Sequence, residues 1–245
     1  FLELDFSTQK ISIQQYWNVY DYYNKPKLKI DLPEAINETE RILQESFQYR
    51  MVADVPVGVF LSGGYDSSCV TSLLQANSTE KIKTFTIGST DNKLDEAPFA
   101  KQIAAHLGTD HTEYYCTAKE ALDIIPDLPY YFDEPFADSS AIPTILVSRM
   151  ARKKVTVALS ADAGDEIFAG YNRYDYISRY GNKIKAIPKP FRKLAAASME
   201  RISSTSIPIL KNKPNFHSRY DKLKNLLRDH STPSLLKNLS QVFSD

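Results

Sequence analysis

Val57-Gly58-Val59-Phe60-Leu61 runs directly into Ser62-Gly63-Gly64-Tyr65-Asp66-Ser67-Ser68, and Cys69-Val70-Thr71-Ser72-Leu73-Leu74-Gln75 follows. The first segment reads as a strand, the last as a helix, and the glycines with small hydroxyl residues between them as a tight connection. Successive N–H groups in such a turn point at one spot, and the helix start adds its partial positive charge there. The connection is therefore built for an anion, with phosphate as its natural guest. A Walker-type loop would need four residues between its glycines and then Lys-Ser or Lys-Thr, and no such lysine occurs here. An ordinary Gly-Gly turn with a Ser or Asp cap would explain the glycines alone; Asp66 and Ser67 at the helix start favour the anion site.

Around this stretch, strand-like and helix-like segments take turns. Strands are predicted over 55–61, 83–87 and 154–159, with a further extended segment over 111–116. Helices are predicted over 67–75, 95–107, from 118 onward and over 142–152. Alternation of this kind predicts an α/β fold, an open, mostly parallel twisted sheet with helices on both faces. Ligands of such sheets bind beyond the carboxyl ends of the strands, at the switch point in strand order. Before the sheet, residues 1–30 read as a hairpin or linker. Asp31-Leu32-Pro33 then opens a helix to about Val52, with Ile36, Ile42, Leu43 and Phe47 on one face. From Gly181 on, Pro188, Pro190, Pro208 and Pro214 interrupt basic, helix-prone segments that end in an amphipathic run over 219–228. The expected division is a linker over 1–30, the sheet domain over 31–180 and a C-terminal helical region over 181–245.

A chain of 245 residues, 42% hydrophobic and 24% charged, can bury one sizeable core and a small helical appendage. Lys plus Arg and Asp plus Glu both number 30, a net charge of zero that argues against nucleic acid or an anionic membrane as partner and for small molecules. Cys69 and Cys116 suggest neither a disulfide framework nor a zinc site; both are expected to be buried thiols in a reducing compartment. His106, His111, His217 and His230 are too scattered to propose a metal site. No stretch has the length of a membrane span and the N-terminus lacks the regions of a signal peptide, so a cytoplasmic location is expected. The chain begins with Phe1 rather than Met, which suggests part of a longer protein.

A second strand end matters equally. Val155-Thr156-Val157-Ala158-Leu159 runs into Ser160-Ala161-Asp162-Ala163-Gly164-Asp165-Glu166, with three acidic side chains in five positions. Such a cluster is awkward in a core and suits a cation, or else an acidic helix cap. Magnesium prefers carboxylate and phosphate oxygens, so such a cluster near a bound phosphate suits that cation. If strands 55–61 and 154–159 are neighbours, Asp66 and Asp165 face the same phosphates.

The stretch from Ser62 to Ser67 resembles the SGGxDS loop of the ATP pyrophosphatase superfamily, whose members cleave ATP between the α and β phosphates. Three blocks go further: Val55-Pro56-Val57-Gly58-Val59-Phe60-Leu61-Ser62-Gly63-Gly64, Asp133-Glu134-Pro135-Phe136-Ala137-Asp138-Ser139-Ser140-Ala141-Ile142-Pro143, and Leu159-Ser160 through Gly170-Tyr171. With weaker matches at Thr84-Phe85-Thr86-Ile87-Gly88 and at Leu107-Gly108-Thr109 with His111, they are similar to the synthetase domain of glutamine-hydrolysing asparagine synthetases over about residues 10–180.

The resemblance implies an adenine nucleotide alpha hydrolase-like fold and ATP with Mg2+ as cofactors. It implies that Ser62, Gly63, Gly64, Asp66 and Ser67 hold the pyrophosphate, and that Leu61, Ile87, Ser160 and Ala161 line the rest of the ATP site. Asp66 and Asp165 match the metal-binding aspartates. Asp162 matches the acidic position beside the reacting carboxyl group, and Tyr171 closes that side; these two are the catalytic candidates. The implied reaction is ATP-dependent amidation of aspartate, or another carboxylate, through an acyl-AMP, with ammonia supplied from glutamine by a domain ahead of Phe1. The family's catalytic lysine is expected beyond this chain, a homodimer is a candidate assembly of the full-length protein, and the 245-residue piece alone is expected to bind ATP weakly and turn over poorly. The family pattern LSGEGxDE is altered here: Ala161 replaces a glycine and Asp162 a glutamate one methylene longer. A different acceptor, such as a sugar uronic acid in polysaccharide assembly, and a non-catalytic nucleotide-binding module therefore remain open.

Overall fold

The computed structural model describes residues 1–90, 95–136, 138–202, 216–229, 231 and 233–234. The chain opens with an antiparallel hairpin, β1 (Leu2–Asp5) and β2 (Lys10–Ile13), in which Leu2 lies opposite Ile13. A single-turn helix, α1 (Val19–Tyr23), interrupts the segment expected to be extended, because the Asn18 side chain accepts from the Tyr20 N–H and caps it. Helix α2 (Leu32–Met51) starts where its signals put it: the Asp31 carboxylate accepts from the Glu34 N–H at 2.8 Å and Pro33 sits in the first turn. Its apolar face is narrower than the sequence suggested. Ile36 and Ile42 stay exposed, and only the C-terminal half packs, through Phe47 and Met51 against Val59, Val70 and Leu74.

The sheet is formed by β3 (Val57–Phe60), β4 (Lys83–Ser89), β5 (Asp110–Cys116) and β6 (Val157–Leu159), in the order β5-β4-β3-β6 with every pair parallel. Period-two alternation sorts the side chains between its faces. Val59 and Leu61 point to the side of α3 (Tyr65–Ala76) and α4 (Ala97–Leu107). Phe60, Phe85 and Ile87 point to the other side, where Val147, Met150 and Ala151 pack against them. There α5 (Ala118–Ile124), α6 (Leu128–Tyr131) and α7 (Ala141–Ala151) gather Ile124, Ile145 and Leu146 into a second cluster. Phe85 and Val59 are fully buried, each worth roughly 1.5–3 kcal/mol of transfer free energy. The open parallel α/β sheet with helices on both faces is thus as expected.

The boundaries differ in instructive ways. β6 is shorter than the predicted 154–159, because the Val155 N–H still bonds to the Ala151 carbonyl at the helix end and the Thr156 and Val157 N–H groups share the Pro56 carbonyl. α3 starts at Tyr65 rather than Ser67, since Gly64, at φ −74° and ψ 166°, occupies its cap. Cys69 is exposed and Cys116 half-buried, contrary to the expectation of two buried thiols. The core face of α3 is Ser67, Val70, Thr71 and Leu74, and Cys69 falls beside that stripe. Partial shielding, with Asp66 and Glu40 next in effect, pushes its thiol up.

At the amino end of the sheet His111, half-buried, sits beside Thr84 with Nδ1 2.9 Å from the Thr84 hydroxyl, while its Nε2 is buried without a hydrogen-bond partner. Burial pushes the imidazole below its ordinary value; the Glu113 carboxylate opposes this and Lys101, ion-paired to Glu113 at 3.1 Å, adds to it. The unfolded chain therefore takes up a proton that the folded chain resists, and the associated stability, present above the unfolded value of about 6.5, is lost as pH falls through it. The midpoint of thermal unfolding should drop between about pH 7 and pH 5. His111→Asn, which keeps an acceptor for Thr84 but cannot titrate, should flatten that drop in a pH series of melts.

After β6 come α8 (Gly164–Phe168), α9 (Asn172–Ala186), α10 (Lys189–Arg201) and α11 (Phe216–Arg228). Helices α10 and α11 pack together: the Tyr220 hydroxyl donates to the Met199 and Ile202 carbonyls at 3.2 and 2.9 Å, and Arg228 pairs with Glu200. Pro208 and Pro214 lie outside the described residues. Among those described, no helix is long and apolar enough to cross a membrane.

Candidate nucleotide site

β3 is the first strand of the sheet; the chain adds β4 and β5 on one side of it and then returns to add β6 on the other. The strand order reverses between β3 and β6, which is where such sheets hold ligands. The register pairs Val59 with Leu159, so the loop from Ser62 and the segment from Ser160 leave adjacent strands at nearly one level. The condition on which Asp66 and Asp165 could cooperate, that these two strands be neighbours, is met.

The loop is held from within. Ser67, buried at the first turn of α3, accepts from the Ser62 N–H at 3.2 Å, lies 3.0 Å from the Ser62 hydroxyl, and donates to the Gly64 carbonyl at 3.3 Å. The Ser68 hydroxyl donates to the same carbonyl at 2.6 Å. On the strand side the Leu61 N–H donates to the Phe85 carbonyl at 2.9 Å and the buried Thr86 hydroxyl donates to the Leu61 carbonyl. Gly63 takes φ +87°, and a Cβ there would lie 2.9 Å from the Ala100 nitrogen and from Phe99 Cβ. The serines thus consume the loop's own acceptors, while the N–H groups of the first turn of α3 have no helical carbonyl before them.

A cleft of about 570 Å³ opens at this point. Of the residues singled out from the sequence, Leu61, Ser62, Gly64, Asp66, Ser67 and Ile87 line one side and Ser160, Ala161 and Asp165 the other; Gly63 lies behind the loop against α4. Asp66 rests directly on Gly164, where a Cβ would come 2.3 Å from its Oδ2, so its carboxylate is seated at the first turn of α8; Asp165, the next residue, has its own carboxylate against Gly170. Two carboxylates next to a phosphate-type cradle fit magnesium, which takes few protein oxygens and completes its shell with phosphate and water. Among the described residues no group of three or more His, Cys, Asp and Glu side chains converges on a point.

Asp162 and Tyr171 are placed differently. Neither lines this cleft. Asp162 lines a neighbouring cavity, and the Tyr171 hydroxyl donates to Glu166 while the Arg173 guanidinium lies 3.6 Å above its ring. That hydrogen bond holds the Glu166 carboxyl below its ordinary range and pushes the tyrosine up. Ala161 packs its methyl against the Val59–Val70 cluster, which accounts for a side chain where the pattern LSGEGxDE has its first glycine. Ala163 stands at that pattern's second glycine and takes φ +68°, a conformation that costs a non-glycine residue roughly 1–2 kcal/mol. Ala163→Gly should release that strain less about 0.4–1 kcal/mol of unfolded-chain entropy, raising the unfolding midpoint by one to a few degrees, on the order of 2 °C.

The sequence reading missed Thr86, Glu96, Ser140 and Thr144, all of which line the cleft. Ser140 belongs to the 133–143 block, so its signal was present. Thr86 precedes Ile87 on β4 and faces the opposite side of the sheet, and the strand's alternation could have marked it as the residue reaching under the loop. Glu96, just before α4, carries no local signal.

A parallel α/β domain with a glycine loop and two carboxylates lining a cleft at its switch point is of the class that cradles phosphate groups at strand ends. The profile described as Asparagine synthase matches residues 38–241, and the chain belongs to that family. It is 41% identical over 174 residues to the protein named putative asparagine synthetase [glutamine-hydrolyzing] 2 of Methanocaldococcus jannaschii, covering 69% of this chain and 32% of that one. It is 35% identical over 158 residues to asparagine synthetase [glutamine-hydrolyzing] 1 of Bacillus subtilis, covering 64% and 25%. The chain thus spans about a quarter to a third of the length of these relatives. A glutamine-dependent NAD+ synthetase of Acinetobacter baumannii, solved with ADP, overlaps all of this chain and 51% of its own at 16% identity, with a TM-score of 0.42.

Proposed function

We propose that this chain is the ATP-using part of an enzyme that amidates a carboxylate, with aspartate as acceptor and asparagine as product. The observation that carries this reading is the seating of Asp66 on Gly164, which joins the glycine loop of β3 to the acidic segment after β6. Among the described residues the cleft is lined by Asp66, Glu96 and Asp165 and by no lysine or arginine, so it suits the magnesium complex of ATP rather than the bare tetra-anion.

A carboxylate resists ammonia because oxide would have to leave. Attack of the acceptor oxygen on the α-phosphorus forms a mixed anhydride as pyrophosphate departs; ammonia then adds to the acyl carbon, loses a proton, and AMP leaves. The chain's work in this sequence is positioning and charge. The N–H groups at the start of α3 hold the β and γ phosphates, the Ser62–Ser67 hydrogen bond keeps the loop in shape before ATP arrives, and Thr86 pins the strand end beneath it. Ile87 and Leu61 give the adenosine an apolar wall. Mg2+ held by Asp66 and Asp165 would neutralise charge on the departing pyrophosphate.

The test is release of AMP and pyrophosphate by the intact protein, dependent on both ammonia and acceptor, over aspartate and a panel of other acids including uronic acids. Equal yields of AMP, pyrophosphate and asparagine are expected. Turnover with a uronic acid and not aspartate would move the acceptor. Tight binding of magnesium ATP with no pyrophosphate released for any acid would leave a nucleotide-binding module instead.

A further inference from the structure

A second cavity, of about 310 Å³, lies between α2, α3, β6 and α8. It shares Asp66, Ser160 and Ala161 with the nucleotide cleft, so the two adjoin along these residues. Leu43, Phe47, Val70 and Ile167 make it largely apolar, and Arg50 is the single cationic side chain among the described residues lining either cavity. Arg50 is also held in place. Its Nη1 donates to the Ser46 carbonyl at 2.9 Å and to the Ser46 hydroxyl at 2.7 Å, one turn back on α2. This fixes one edge of the guanidinium and leaves its Nε and Nη2 without a partner among the described residues.

Asp66 and Asp162 line the same cavity, yet the hydrogen bonds of Arg50 go to Ser46 and to neither carboxylate. The reaction releases a polyanion in the adjoining cleft. We propose that Arg50 binds the pyrophosphate end of the nucleotide and holds the pyrophosphate as it leaves, with the second cavity as its way out; this rests on the amidation reading above. The planar guanidinium suits two phosphate oxygens at once, and the edge that Ser46 leaves free carries Nε and Nη2. The glycine loop would then grip the phosphates from the helix end of α3 and Arg50 from α2. That supplies a cationic side chain where the described residues of the nucleotide cleft offer none.

Titration calorimetry of the intact protein with magnesium pyrophosphate, and separately with AMP, tests this without any turnover. Arg50→Met keeps the apolar stem and removes the charge; Arg50→Lys restores charge without the fork. Arg50→Met should weaken pyrophosphate binding about tenfold or more and leave AMP binding unchanged, with Arg50→Lys recovering part of the loss. Equal weakening of both ligands would mean a structural role and overturn the proposal, as would unchanged pyrophosphate binding, or no pyrophosphate binding by the unaltered protein. A raised KM for the carboxylate with pyrophosphate binding untouched would assign the cavity to the acceptor and equally overturn it. The absence of amide formation by an unaltered protein that does bind pyrophosphate would sink the amidation reading alone.

Discussion

Gly63→Ala should destabilise the domain by about 2–4 kcal/mol, the sum of left-handed backbone strain and forced overpacking, and should lower ATP turnover by on the order of a hundredfold. At φ +87° an alanine pays the steric conflict between Cβ and its own carbonyl, and here it would also meet the Ala100 backbone nitrogen and Phe99 Cβ at 2.9 Å. Neither neighbour can give way cheaply, because both belong to the first turn of α4, whose Ala97, Ala100 and Ala104 are buried against the sheet. The loop must move instead, and with it the N–H groups that define the phosphate position. Gly108→Ala is the control. That glycine also takes a left-handed φ, +73°, but a Cβ there would meet nothing within 4 Å. It should lose about 1 kcal/mol and leave ATP affinity unchanged. Thermal unfolding with and without magnesium ATP, together with pyrophosphate release, reads both variants. Comparable losses of turnover in the two would show that stability, rather than loop geometry, limits the activity.

The loop was legible because everything that makes it is local. Strand, glycines, hydroxyls and helix follow one another within about twenty residues, and the backbone chemistry of each is fixed by its own side chain. The pairing of β3 with β6 was legible only as a condition, since some hundred residues separate them and strand order depends on which edges the intervening helices leave free. The errors share a cause. Ile36 and Ile42 have helical periodicity toward a face that α2 only half uses, and Cys69 follows the loop closely yet falls beside the core stripe, since periodicity says which residues share a face but not what covers it. Arg50 is the sharpest case: nothing in its sequence neighbourhood marks it, and only the meeting of α2 with the strand ends puts a cation behind Asp66.

Asp66→Asn and Asp165→Asn should each cut turnover by on the order of a hundredfold or more, consistent with loss of a positioned charge at a phosphoryl-transfer centre, and each should raise the magnesium concentration needed for half-maximal rate. Stability should hardly change. Both carboxylates lie in the first turn of a helix, α3 and α8, where a negative charge is worth roughly 0.3–1 kcal/mol. Activity and stability would then part company, the opposite of what a structural acidic cap gives. The double variant separates two kinds of loss further. If the aspartates share one metal, removing the second after the first should cost little more, as for groups that act as a unit. Independent roles would instead multiply the two losses. Gly164→Ala reaches the same pair without touching either charge, because its Cβ would displace the Asp66 carboxylate now seated there. It should reproduce the raised magnesium requirement of Asp66→Asn, and a normal requirement in Gly164→Ala would mean that the contact between the two strand ends does not set the metal's place.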